Sequence, residues 1–176
     1  EIQCLIFLAT ENILPPSLSA SALDTLRSID TRFSLKNAQR IKTIEETTRH
    51  DVKAVEYFIK EQLESHTELQ PLIPYIHFAC TSEDINSTAY SLMLKQARDL
   101  LNNSLQTIIT SLNDMANKEA NTPMLSRTHG QTASPTTLGK EIKNVSARLQ
   151  KQAKTLNNIP ITAKFSGAVG NYNAHL

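Results

Sequence analysis

The sequence is poor in the residues that interrupt helices. Its 176 residues include four glycines and seven prolines, a scarcity that favours long helices over a turn-rich β fold. No charge of one sign dominates: 18 basic and 17 acidic residues leave a net +1. That balance excludes the basic footprint of a nucleic-acid binder, and no block of like charges marks a tail. The longest apolar run is Cys4–Ala9, far short of the roughly 20 residues that span a bilayer. No signal-peptide pattern is present, so no membrane partner is expected. The two cysteines, Cys4 and Cys80, have neither metal-type nor redox-type spacing. Reduced thiols in a cytoplasmic protein are the expected state.

What is present is helical periodicity. A 40% hydrophobic and 20% charged composition suits a globular protein with a real core. Glu1–Asn12 reads as a helix closed by Pro15-Pro16. Ser19 can cap a helix through Ile29, and Ser34 can cap the next, with Ala38, Ile41 and Ile44 near one face. A break is expected at Arg49-His50-Asp51, with Asp51 opening a helix whose apolar faces carry Val52, Val55, Tyr57, Phe58, Ile59 and Leu63. His66–Tyr75, with Pro71 and Pro74, reads as a connector between residues 1–70 and 71–176.

Beyond it, Leu94, Ala97, Leu101, Leu105, Ile108, Leu112 and Met115 recur at steps of three and four. No proline or glycine falls between Thr81 and Thr122. A helix of about 37 residues, roughly 55 Å long, is expected. Leu138, Ile142, Val145, Leu149, Ala153 and Leu156 form a second stripe. Such helices cannot bury their stripes alone and belong to a bundle, expected to be oligomeric. Asn121–Ser134 reads as the loop between them, and Pro160–Gly170 as a short extended or hairpin-like segment. The fold class is therefore all-α: an N-terminal helical domain, then part of a long-helix bundle. Neither Glu1 nor Leu176 looks like a natural terminus, and an interior fragment of a longer chain is expected.

Three polar clusters fall at helix ends, where a rigid scaffold commonly holds binding residues. In Thr48-Arg49-His50-Asp51, Arg49 offers a bidentate donor for phosphate or carboxylate and His50 a donor or a proton. The plainer reading has Asp51 capping a helix beside two solvated neighbours. In Thr81-Ser82-Glu83-Asp84, hydroxyls and free amides at a helix start suit a substrate carboxylate. The same residues also fit an ordinary capping box, and Glu83 and Asp84 would repel an anion unless turned away. In Arg127-Thr128-His129-Gly130-Gln131, an exposed loop histidine is usually surface decoration, although Gly130 permits a close ligand approach. His77, between Ile76 and Phe78, reads as a packed side chain. Zinc-ligand spacing, a P-loop, a dinucleotide glycine motif and a nucleophile elbow are all missing.

Taken in order, the clusters resemble one family. Lys42-Thr43-Ile44-Glu45 with Arg49-His50-Asp51-Val52-Lys53-Ala54-Val55-Glu56 is similar to the first signature of the adenylosuccinate lyases. His77-Phe78-Ala79-Cys80-Thr81-Ser82-Glu83-Asp84-Ile85-Asn86 is similar to the second. Ser126-Arg127-Thr128-His129-Gly130-Gln131, with Pro135-Thr136-Thr137 and Gly139-Lys140-Glu141, is similar to the third. Gly167-Ala168-Val169-Gly170-Asn171-Tyr172-Asn173-Ala174-His175 matches the segment that follows. The wording is nearest the enterobacterial branch, which often carries Asn at the position of Arg49.

The resemblance implies the fumarase/aspartase superfamily fold, a homotetramer with shared active sites, a cytoplasmic location, a nucleotide substrate, and no cofactor or metal. It implies an anti β-elimination of fumarate from adenylosuccinate and from the succinylated carboxamide ribotide of purine synthesis. His129 resembles the general acid for the departing nitrogen, a task suited to a side chain with an ordinary pKa of ~6.5. Thr81 and Ser82 resemble carboxylate ligands, and Arg49, His50 and Asp51 substrate contacts. Lys53, Gln131 and Lys140 are expected to contribute less directly. The family's serine base and the carboxylate partner of the histidine are expected beyond Leu176, so the isolated chain is expected to be inactive. Two alternatives stay open: another lyase of the superfamily, such as one acting on argininosuccinate, aspartate or malate, or a non-catalytic helical scaffold.

Overall fold

The computed structural model describes residues 1–11, 13–14 and 18–172. Asn12, Pro15 and Pro16, expected to close the first helix, lie outside the described residues, as do Asn173, Ala174 and His175. Helices carry most of the chain, in agreement with the all-α expectation, and a small hairpin is the one departure among the described residues. The described residues fall into two compact units, one formed by 1–89 with 163–172 and the other by Tyr90–Thr162.

The first unit begins with helix α1, Ile2–Thr10, which buries Ile2, Leu5, Ile6 and Ala9. Helix α2, Ala20–Thr31, starts where the Ser19 hydroxyl accepts the Ala22 N–H at 3.1 Å, a cap typically worth about 1 kcal/mol. Helix α3, Leu35–Thr48, opens with a capping box in which Asn37 answers Ser34. Helix α4, Asp51–Glu64, turns Val52, Ala54, Phe58, Ile59 and Leu63 inward. The Arg40 guanidinium of α3 reaches Glu61 of α4 through two N–H groups. Phe33 meets Phe58 edge to face at 6.1 Å. Leu26, Leu63, Leu69 and Leu72 are the innermost side chains, each at most 1% exposed.

The proline-bearing segment does not behave as a loose connector. It forms a 3-10 helix, Gln70–Tyr75, whose Leu72 is buried in the core of the first unit. Pro71 fits because the first turn of a helix needs no N–H there. Helix α5, Ser82–Lys118, has the expected 37 residues. Its first turns belong to the first unit and the stretch from Tyr90 to the second.

In the second unit α5 packs antiparallel on helix α6, Leu138–Asn158. Asn102 bonds Asn157, and Asn113 Oδ1 accepts from Ser146 Oγ at 2.7 Å and from Lys143 Nζ at 2.8 Å. Gly139 sits against the α5 backbone so closely that a Cβ there would lie 2.3 Å from the Ala116 carbonyl oxygen. The face of α5 that this pairing covers includes Ile109 and Ala116. Leu94, Leu101, Ile108 and Met115, seven residues apart, remain at least half exposed. Leu94 and Leu101 also line an apolar cavity with Leu156 and Ile159, so the exposed series flanks the covered face, and the periodicity alone could not say how much of the stripe its own chain would cover.

The segment after α5 corrects the expected loop. Pro123–Thr128 is strand β1 and Gln131–Thr137 is strand β2, paired antiparallel. Between the pairs Leu125–Pro135 and Arg127–Thr132 the register shifts, so Ala133 and Ser134 oppose Ser126 alone. This bulge accommodates Pro135, which cannot donate to a regular ladder. The sequence signals were mixed: threonines at 128, 132, 136 and 137 favour a strand, whereas Pro123 and Pro135 argue against one. The 160–170 segment is extended and then turns from Gly167, and no strand forms there among the described residues.

Candidate functional site

The break between α3 and α4 is built from backbone geometry. Arg49 closes α3 in the left-handed conformation, with φ 54°, its N–H donating to the Glu45 carbonyl at 2.8 Å. Only small polar residues and glycine adopt this conformation readily. Its guanidinium has no ion-pair partner among the described residues. His50 then becomes extended, and its imidazole, rather than Asp51, caps α4: Nδ1 accepts the Lys53 N–H at 3.2 Å. An accepting Nδ1 places the proton of the neutral ring on Nε2. Asp51 is the first residue of the helix, as expected. Its carboxyl accepts the Val52 N–H at 2.8 Å and the Asn86 amide at 3.2 Å. The Val52 and Asn86 donors outweigh partial burial and hold it below the usual carboxylate range.

The start of α5 meets this break. His50 Nε2 stands 3.4 Å from Ser82 Oγ, while Asn86 joins Asp51. Two clusters picked out separately in the sequence therefore converge, and the N-termini of α4 and α5 meet. Each such terminus carries roughly half a positive charge. The two differ in how many amides remain open. In α4 the Val52 and Lys53 N–H groups are taken by Asp51 and His50. In α5 the Thr81 N–H is taken by Asp84 Oδ2 at 3.0 Å, and the Ser82 and Glu83 amides have no acceptor among the described residues. Those two amides, with the half-buried Thr81 and Ser82 hydroxyls, can receive an anion.

Asp84, a candidate repellent, is turned inward. It is fully buried and accepts from the Thr81, Ser166 and Gly167 N–H groups and the Lys164 ammonium. Burial alone would raise its pKa, but these donors together hold the carboxyl below the usual range. The sequence offered Asp84 as part of a capping box, and its carboxylate accepting the Thr81 N–H is half of one. Lys164, some 80 residues away, had no sequence signal.

His129 and Gly130 form the two-residue turn of the hairpin in the second unit, with φ 51° and 75°. Left-handed geometry at both positions defines a type I′ turn, the connection that matches strand twist. His129 is exposed there, in a tight turn rather than an irregular loop. Gln131 starts β2. The Lys140 ammonium pairs with Glu141 at 2.8 Å in the first turn of α6. Lys53, in the first unit, pairs with Glu56 at 2.5 Å, which raises its pKa.

A further cluster went unnoticed in the sequence. His77, with φ 67°, places Nδ1 2.7 Å from Glu1 Oε1 and 3.9 Å from Glu56 Oε1. Burial pushes the Glu1 carboxyl up, opposed by its bond to His77. Among the described residues these three side chains are the one group arranged to hold a metal ion. Its carboxylates already have counterparts in His77 and in Lys53, which pairs with Glu56.

Comparison with known proteins identifies the family of the chain. Residues 7–176 match the family model described as "Lyase", and the chain belongs to this lyase family. It is 51% identical over 162 residues to the adenylosuccinate lyase of Vibrio cholerae serotype O1, covering 92% of this chain and 36% of that protein. It is 44% identical to the adenylosuccinate lyase of Legionella pneumophila strain Corby, covering all of this chain and 39% of that protein. The chain thus spans little more than a third of these curated relatives. Its fold matches the 3-carboxy-cis,cis-muconate lactonizing enzyme of Pseudomonas putida with a TM-score of 0.74 at 22% identity, over 99% of this chain and 39% of that one. It also matches a fumarate lyase of Mesorhizobium sp. BNC1 with a TM-score of 0.75 at 20% identity, over 98% of this chain and 40% of that one. No helix among the described residues is long and apolar enough to cross a membrane.

Proposed function

We propose that this member of the lyase family is part of an adenylosuccinate lyase. The complete enzyme eliminates fumarate from adenylosuccinate, giving AMP, and from the succinylated aminoimidazole carboxamide ribotide. The observation that carries the reading is the convergence of His50 and Asp51 with Thr81 and Ser82 at two helix N-termini. The open Ser82 and Glu83 amides and the adjacent hydroxyls receive a succinyl carboxylate. Loss of the C–H proton beside a carboxylate adds negative charge to it, so donors already aimed there lower the barrier. His129 hands a proton to the departing nitrogen. Arg49, His50 and Asp51 orient the substrate, and Lys53, Gln131 and Lys140 act less directly. No metal or cofactor takes part. The remaining catalytic groups, a serine base among them, come from the rest of the longer protein.

The complete enzyme works in the cytoplasm as a homotetramer. The exposed apolar series Leu94, Leu101, Ile108 and Met115 supports that assembly, because a soluble monomer rarely leaves so much contiguous apolar surface uncovered. The test is fumarate release by the complete protein, with adenylosuccinate and argininosuccinate compared. Turnover of adenylosuccinate, abolished by His129→Ala with folding and assembly intact, is the expected result. Turnover of argininosuccinate alone, or an unaffected His129→Ala variant, would overturn the reading.

A further inference from the structure

The chain leaves the first unit along α5 and re-enters it at Ala163. The point of re-entry is fixed on Asp84. Ser166 N–H donates to Asp84 Oδ1 at 2.9 Å and Gly167 N–H to Oδ2 at 3.2 Å. Lys164 places its ammonium 3.3 Å from Oδ1 and against the Gly167 carbonyl, while its backbone N–H donates to Ser87 Oγ at 3.0 Å. On its other side Asp84 Oδ2 accepts the Thr81 N–H. One buried carboxylate thus joins the residue that opens the anion site to a turn more than 80 positions later.

We infer that Asp84, neutralised by Lys164, is a positioning residue of this site: it clasps the 164–167 turn to the first turn of α5 and keeps that helix end attractive to an anion. This role rests on the carboxylate-binding reading of Thr81 and Ser82.

Two physical points carry it. First, a bare carboxylate in the first turn would compete with a bound anion for the same positive helix end. Here its charge is spent inward on four donors, and the ammonium cancels it. Second, by taking the Thr81 N–H, Asp84 fixes where the helix begins. The Ser82 and Glu83 amides are then the ones left open, and the Ser82 hydroxyl stays beside His50. Asp84 touches no reacting atom in this account. It acts through Thr81, Ser82 and the helix end.

The test uses the complete protein with Lys164→Met, Lys164→Arg and Lys164→Met/Asp84→Asn, followed by KM, kcat and thermal midpoint. Lys164→Met leaves the carboxylate uncompensated beside the anion site and is expected to raise KM about ten-fold or more, the scale of one lost charge-assisted contact. Its kcat should fall much less. Lys164→Arg restores the cation and should recover most of the affinity. The double variant removes the unpaired charge and should bring KM back towards the unsubstituted value, even if its thermal midpoint stays low. A KM unchanged in Lys164→Met, or one that tracks the thermal midpoint across all three variants, would show a packing role only and overturn the inference. Failure of the unsubstituted protein to turn over adenylosuccinate would instead sink the functional reading. If Asp84→Asn prevents folding, the Lys164→Met and Lys164→Arg pair decides by itself.

Discussion

His50 Nε2 and Ser82 Oγ lie 3.4 Å apart, across the N-termini of two helices that start 31 residues from one another. The same imidazole caps α4 through Nδ1, so its capping role and the substrate-contact role proposed for it fall on different nitrogens and can be separated.

His50→Asn keeps a capping acceptor for Lys53 N–H but removes the nitrogen beside Ser82. The thermal midpoint of this chain should stay near its original value, while fumarate release by the complete protein falls at least ten-fold, about 1.4 kcal/mol. His50→Ala should also lose about 1 kcal/mol of stability. Equal activity in His50→Asn and the unsubstituted protein would refute the division of labour.

Arg49 occupies a left-handed conformation that costs a branched or long side chain about 1–2 kcal/mol. Arg49→Asn should therefore stabilise the chain by about 0.5–1 kcal/mol in urea unfolding, and Arg49→Val should destabilise it. A lower urea midpoint for Arg49→Asn would show that the guanidinium contributes more than the backbone strain removes.

Asp84 has a folded-state pKa below its ordinary value. A depressed carboxylate stabilises the fold above its unfolded pKa of about 3.9, and that stabilisation is lost as pH falls through the folded value. Urea midpoints between pH 7 and pH 3 should decline less steeply on the acid side for Asp84→Asn than for the original chain. Parallel curves would count against the four-donor arrangement.

Gly139→Ala places a methyl group 2.3 Å from the Ala116 carbonyl oxygen and 2.6 Å from Ala120 Cα. Both obstacles are backbone, so the helices must separate. A loss of roughly 1–3 kcal/mol is expected from overpacking, despite the better helix propensity of alanine. Calorimetry or denaturant titration of the isolated chain would measure it, and a neutral result would disprove the close approach.

The exposed series on α5 predicts self-association. Leu101→Glu with Ile108→Glu should lower the mass found by light scattering after size exclusion, without loss of helical circular dichroism. A compact monomer before substitution would remove the case for a partner on that face.

The sequence by itself determined the α-helices and where they start. Ser19 and Ser34 cap where capping chemistry places them, and a proline-free stretch of alternating three and four steps became the 37-residue α5. These outcomes depend on neighbours within one or two turns, which a linear reading contains. The first two polar clusters were legible for the same reason, each being a helix end, whereas the third is the turn of a hairpin. Tertiary structure decided what no local pattern encodes. It set how much of the apolar stripe of α5 its own chain covers, brought Ser82 to His50, and drew Lys164 back to Asp84. It also made a bulged hairpin where prolines suggested a loop. Contacts between residues more than 30 positions apart cost chain entropy that only the assembled core offsets, so they become readable only after the helices have packed.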